Sequence, residues 1–265
     1  MKLNFASILI AICFSTTLSG FAGSDRLLSV DTPFIDTNRI LILDAFSYRP
    51  LDLQFNYPLG QGFAVSVNSS LPLFIVGLYN GGIKIGWDIS DNPFAMSLSV
   101  RYMQFTGERL LTDLINQQLA GAATIVNADL NFTSVCFEGS FEFDLNSLRL
   151  YVIFDSQLLG NKNGLKTYLR PVFGADVTLD FVTFFAEAGY YIPMQPTGSV
   201  DSGSLIGLNT PGNLTAGGGI RFDLKAVIIT GGVAYPGFEL KYGTAATDVF
   251  SLPVLPYLSV EIPLL

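Results

Sequence analysis

In LKTYLRPVFGADVTL, residues 165–179, the apolar side chains Leu165, Leu169, Phe173, Ala175, Val177 and Leu179 share one parity, while Lys166, Arg170 and Asp176 share the other. A β-strand turns successive side chains to opposite surfaces, so this alternation predicts a strand with one apolar and one mostly polar face. The pattern recurs at 51–57, 63–68, 83–90, 94–103, 133–144, 148–155, 182–194, 214–223, 227–235 and 254–264. RILILDAF (39–46) is apolar without clean alternation and is a further candidate. The apolar parity holds rows such as Ile83/Ile85/Trp87/Ile89 and Phe94/Met96/Leu98/Val100/Tyr102, with no Asp, Glu, Lys or Arg. The opposite parity carries the charges, among them Asp52, Lys84, Asp88, Arg101, Glu138, Glu142, Asp144, Asp155, Arg170, Asp176, Glu187, Arg221, Asp223 and Glu261.

The connections choose between a soluble sandwich and a barrel. Short turns at LGQG (59–62), SDN (90–92), LNS (145–147), LDFV (179–182) and LKA (224–226) alternate with longer stretches at 69–82, 104–132, 156–164, 195–213 and 236–253. Tight turns at one end and long loops at the other are the asymmetry of membrane barrels, and Greek-key sandwiches have no reason to alternate so. Composition agrees, since mean hydropathy is +0.45 and only 14% of residues are charged, against about 25% in ordinary soluble domains. After the N-terminus no run of about 20 uncharged apolar residues occurs, which leaves the closed β-barrel as the spanning structure a bilayer permits. Residues 1–22 have a basic start at Lys2, an apolar run from Phe5 to Phe14 and small residues at Gly20 and Ala22, the layout of a cleaved export signal. The expected organisation is therefore signal peptide 1–22, N-terminal segment 23–38 and barrel 39–265. Counting 39–46 as a strand gives twelve strands, the preferred number because LDLQFNY (51–57) alternates so well; treating 39–57 as a tail or plug gives the alternative, ten.

With this pattern the chain resembles the bacterial outer-membrane β-barrel proteins as a class, over the signal and roughly residues 39–265. The resemblance implies an all-β, antiparallel up-and-down transmembrane barrel in the bacterial outer membrane, in contact with its lipid. One departure stands out: proteins of this class commonly end in an aromatic residue, whereas this chain ends in Leu265.

Candidate chemistry narrows next. The chain has no histidine, which removes the usual general base and the commonest metal ligand. Outer-membrane phospholipases, lipid A modifying enzymes and omptin-like proteases generally rely on a catalytic histidine, so the expectation is that the protein is not an enzyme. Glu138 and Glu142 could support carboxylate-only catalysis, but a structural role is favoured. GNKNG (160–164) and TAGGG (215–219) lack P-loop spacing, and no cofactor or metal is expected. Without the signal the chain has 13 basic against 22 acidic residues, so a nucleic-acid partner is not expected. Cys136 is the one cysteine beyond the signal.

Inward charges fall in two groups. Asp88, Asp144, Asp180 and Asp223 lie beside the short turns and predict an acidic collar at the periplasmic mouth, where turn chemistry is the competing account. Lys84, Arg101, Glu138, Asp155, Arg170 and Glu187 lie further up the strands and predict a mixed belt. The belt reads equally as a pore constriction or as ion pairs sealing the lumen. Inward Gly86, Gly174, Gly189, Gly217, Gly219, Ala64 and Ser66 are expected to widen the lumen. In the longest connection, Leu110, Leu111, Leu114, Ile115 and Leu119 within 107–123 have helical spacing, predicting a short extracellular helix on the rim or over the barrel. The leading functional expectation is a narrow channel for small solutes or ions. The alternative is a closed structural or adhesive barrel that binds a protein partner through loops 104–132, 195–213 and 236–253. A soluble secreted β-protein with the alternation reversed is the third.

Overall fold

The computed structural model describes residues 27, 30, 32–46, 52–69, 77–88, 93–106, 131–161, 164–194, 214–235, 240–241, 249–250 and 254–265. Among these residues, twelve antiparallel strands close into one barrel. They are β1 (Leu41–Phe46), β2 (Asp52–Gly60), β3 (Phe63–Ser69), β4 (Leu78–Asp88), β5 (Phe94–Phe105) and β6 (Phe132–Leu145). The other six are β7 (Leu148–Asn161), β8 (Gly164–Leu179), β9 (Val182–Tyr190), β10 (Leu214–Asp223), β11 (Ile228–Tyr235) and β12 (Leu255–Pro263). Ile192–Pro193 carries the line of β9 onward beside β8. Each strand pairs with its sequence neighbours, and β12 pairs with β1 (Leu43 opposite Ile262, Asp44 opposite Glu261), so no edge remains in the wall.

Twelve strands rather than ten therefore build the wall, because RILILDAF is not a tail. Its β1 portion is held by β2 on one side and β12 on the other. The weak alternation has a local counterpart in a register shift between Asp44 and Phe46. Closure needs such irregularities, since a bulge adds bend and twist where a regular strand would run flat.

The short-turn end is built by residues that tolerate a left-handed backbone. Leu145 pairs with Leu148 and Leu179 with Val182, leaving two-residue turns whose first residues, Asn146 and Asp180, have φ of 71° and 56°. Asn and Asp are among the few non-glycine residues that enter this region cheaply, and primed hairpin turns require it.

The two faces are the inverse of a soluble protein. On β8, Phe173 is 63% exposed, while Arg170, three residues away, is 1% exposed. Exposed apolar side chains cover the outside on every long strand, including Phe55, Ile85, Leu98, Phe137, Phe154, Phe184, Val233 and Leu258. Lys84, Arg101, Glu138, Asp155, Arg221 and Glu261 are buried inside. A bilayer accepts that arrangement and water does not, because a cation on the lipid face costs about 2–4 kcal/mol at mid-bilayer. The row Leu165 to Leu179 thus meets lipid.

The helix expected at 107–123 and loop 195–213 lie outside the described residues. Of loop 236–253, a small ribbon pairing Leu240–Lys241 with Val249–Phe250 is described.

Candidate functional site

The site is the lumen, and strand register determines what meets there. Directly opposite pairs run Asn56–Ser66–Lys84–Ser99–Glu138–Asp155–Arg170 across β2 to β8. Four of the six predicted belt residues, Lys84, Glu138, Asp155 and Arg170, therefore stand in one row. Arg101 lies two residues along β5 from Ser99, opposite Cys136. Glu187 sits apart, opposite Gly174.

All six belt side chains are buried. Arg101 donates from Nη2 to Glu138 Oε2 at 3.1 Å and to Cys136 Sγ at 3.4 Å. Arg170 donates from Nε and Nη2 to Asp155 Oδ2 at 3.1 and 2.8 Å, and the Cys136 thiol donates to Asp155 Oδ1 at 2.5 Å. The Arg170 guanidinium also lies 5.2 Å from the Tyr191 ring centroid. Burying Arg101, Glu138, Asp155 and Arg170 is tolerable because they pair with one another, whereas removing one partner would leave the other desolvated. A second network is centred on Asp176, which accepts from Arg149 Nε at 2.9 Å and Tyr151 Oη at 2.6 Å. Sequence reasoning missed Cys136, Tyr151 and Tyr191 as members of these networks; their lumen-side parity was the available signal.

At the short-turn end, Asp88, Asp144 and Asp180 are exposed and Asp223 is half-buried. Asp223 accepts the Lys225 backbone N–H at 3.0 Å, which is turn chemistry, and two bonds from Arg39 Nη2 at 2.8 and 2.6 Å. The four are spread over different turns, and among them only Asp223 has a described contact with the N-terminal segment.

That segment is the principal feature the sequence did not reveal. Leu27, Val30 and residues 32–40 lie inside the barrel as a strap. Near β1 the strap is fixed by Arg39 to Asp223 and by Asn56 of β2, whose Nδ2 donates to the carbonyls of Asp36 and Arg39 at 3.0 Å each. Further in, Lys84 Nζ donates to the Thr32 carbonyl at 2.6 Å and the Phe34 carbonyl at 2.8 Å. Beyond that, Leu27 and Val30 pack in one apolar cluster with Tyr151, Ile153, Val172, Phe185 and Tyr257. These wall residues come from β7, β8, β9 and β12, so the cluster reaches across the lumen.

The wall is shaped to receive the strap. A Cβ on Gly86 would stand 2.8 Å from the Pro33 carbonyl oxygen and 3.1 Å from Ile35 Cδ1, and one on Gly174 would collide with Leu27 Cδ1. Gly86 and Gly174 were expected to widen the lumen. They do make room, but the strap fills it. The signal that could have found the strap is apolar: Tyr151, Ile153, Val172 and Phe185 lie on the lumen parity, where a water-filled pore has no use for them.

No known protein family matches the chain, and no curated protein does. Among solved structures it is similar to OmpT of Vibrio cholerae, described as outer-membrane expressed, at 10% identity over 80% of this chain and 63% of that one, with a TM-score of 0.45. It is also similar to LpxR from Salmonella typhimurium (9% identity, 80% of this chain, 86% of that one, TM-score 0.43) and to a porin (11%, 80% and 60%, TM-score 0.35). The chain spans about three fifths of the OmpT and porin chains. At these identities the likeness is one of fold, that of bacterial outer-membrane β-barrels as a class.

One expectation is corrected here. The absence of histidine led to the conclusion that the protein is not an enzyme, yet the barrels it resembles include LpxR, an outer-membrane enzyme, beside porins. The missing histidine removes one kind of general base; it does not make this fold one of channels alone.

Proposed function

We propose that the protein is a narrow channel for small solutes or ions in the bacterial outer membrane, held shut in this conformation by its own N-terminal strap. Export by a cleaved signal ending near Ala22 belongs to the same reading, with the short turns periplasmic and the long connections outside.

The observation that carries the proposal is how the strap is held. Two hydrogen bonds from Lys84 and a small apolar cluster hold Leu27, Val30 and residues 32–35 against a wall in which Arg101 pairs with Glu138 and Arg170 with Asp155. Such a segment can leave without unravelling the wall, and its departure would uncover Lys84, Gly86 and Gly174 together with the cluster residues Tyr151, Ile153, Val172, Phe185 and Tyr257. Twelve strands stand between barrels filled by side chains and those with a wide aqueous pore.

The test is conductance in a planar bilayer, comparing the full-length protein with a variant lacking residues 27–35. The full-length protein should be silent or flicker briefly, and the variant should conduct in steps. A variant that folds, by its shifted mobility in unboiled gels, and stays silent would overturn the channel. It would favour the second reading, a closed barrel binding a partner through its loops, for which the buried ion pairs already speak.

A further inference from the structure

We infer that the solute this lumen takes is a small apolar molecule, held in a cup on the inner wall that Leu27 and Val30 of the strap fill in the closed state. Passage of that molecule rests on the channel reading above; its binding in the cup does not.

Strand register sets out the cup. Tyr151 and Ile153 of β7 stand directly opposite Gly174 and Val172 of β8, a block of three largely apolar side chains and one bare position. Phe185 lies on β9, opposite Asp176. From Phe185 the row continues through Gly219 of β10 and Gly232 of β11 to Tyr257 of β12. Two rings are thus carried on strands whose intervening neighbours put no side chain between them. The Phe185 ring leans over the first gap, since a Cβ on Gly219 would stand 2.8 Å from its Cζ.

Where the polar atoms go decides what the cup can hold. Tyr151 donates its hydroxyl to Asp176 Oδ2 at 2.6 Å, and the Arg221 guanidinium lies 5.4 Å from the Phe185 ring centroid. Ring carbons and branched methyls remain to meet what enters. In this structure they meet Leu27 and Val30, both buried. Gly174 is part of the fit, because a Cβ there would occupy the place of Leu27 Cδ1. The wall here is cut to a branched hydrocarbon group, whereas the row across β2 to β5, Asn56–Ser66–Lys84–Ser99, is polar throughout.

When the strap leaves, the cup faces a wet lumen, and covering its apolar area is favourable in proportion to the area removed from water. Hydrated ions and sugars would have to shed water there without finding partners in return. A hydrocarbon of the size of the displaced side chains gains by taking their place. Because guest and strap compete for one cup, the guest also shifts the strap toward its released state.

The probe is isobutylbenzene, an uncharged ring with a branched tail. The reporter is Thr32→Cys in a Cys136→Ser background, labelled by a charged methanethiosulfonate in the full-length protein reconstituted in lipid. A guest that binds only the released state should quicken labelling about tenfold at about ten times its dissociation constant, while glucose and acetate leave the rate unchanged. Val172→Thr, close in shape but carrying a hydroxyl into the cup, should remove most of that response whatever it does to the basal rate. An unaltered rate with isobutylbenzene overturns the cup. So does an acceleration that persists undiminished in Val172→Thr, which would assign the effect to the bilayer. Photolabelling keeps this apart from the channel reading. In the variant lacking 27–35, a trifluoromethyl-phenyldiazirine should attach to Tyr151 or Tyr257, and far less in the full-length protein. Adducts confined to outward residues such as Leu150 and Phe154 in both proteins would overturn the cup. If the strap-deleted protein never conducts, the channel and the passage of the solute fall, while the two labelling results still decide the cup.

Discussion

Replacing Leu27 with alanine should loosen the strap without weakening the wall, and the size of the effect follows from where the side chain sits. Leu27 is 1% exposed and packs among Val30, Tyr151, Ile153, Val172, Phe185 and Tyr257, over the space left by Gly174. Alanine removes three carbon groups, about 2.4 kcal/mol at about 0.8 kcal/mol for each. Buried leucine-to-alanine changes range over about 2–5 kcal/mol once the cavity is included. The lower end applies here, because tyrosine hydroxyls nearby would let water enter the space. The loss falls on the equilibrium between strap held and strap released, since the strand pairing around the ring is untouched. A shift of about 2–3 kcal/mol multiplies the released fraction roughly 30- to 140-fold. The assay is thiol labelling at Thr32→Cys in the Cys136→Ser background, under conditions where the rate tracks the released fraction, with unboiled gel mobility to show that the barrel is folded. A rate within about threefold of the reference, under 1 kcal/mol, would refute the placement of Leu27 in the lumen.

Three further outcomes are expected. Gly86→Val should expel the strap, because its Cβ alone meets the Pro33 carbonyl at 2.8 Å; the full-length variant should then label faster at position 32 and conduct, and wild-type behaviour in both assays would contradict the fit. Asp155→Asn weakens the acceptor of both Arg170 and Cys136 and should lower stability in urea titrations of the lipid-embedded barrel by about 3 kcal/mol, the lower range for disrupting a buried pair; an unchanged midpoint would mean the pair is hydrated rather than buried. Phe173→Arg, on the outer face of β8, should cost about 2–4 kcal/mol in the same titration, whereas a cost near zero would mean that this face does not meet lipid.

The number of strands, their parity and the end of the barrel that carries tight turns were all legible in the chain itself. Those properties are local: a period of two is written over five to fifteen residues, and lipid enforces it by rejecting charge from one parity. Turn residues such as Asn146 and Asp180 announced themselves for the same reason, since the backbone geometry they permit is a property of single residues. The weakest strand, Leu41–Phe46, was legible only as an apolar run, because its irregular register belongs to closure against β12. The belt charges were identifiable as inward, yet their pairing was not: Arg170 finds Asp155 and Arg101 finds Glu138 through register between strands, which alternation within a strand does not encode.

What only the tertiary structure decided is the content of the lumen. Leu27 and Val30 lie in a segment with no periodicity, and their partners on β7, β8, β9 and β12 are scattered over more than a hundred residues of sequence. Closing the ring points all of these side chains at one axis, and only then do the apolar residues on the polar parity and the bare glycines at 86 and 174 acquire a common occupant. A sequence states which way a side chain faces; what stands opposite it across a closed barrel is set by strand number, register and the path of the segment that enters.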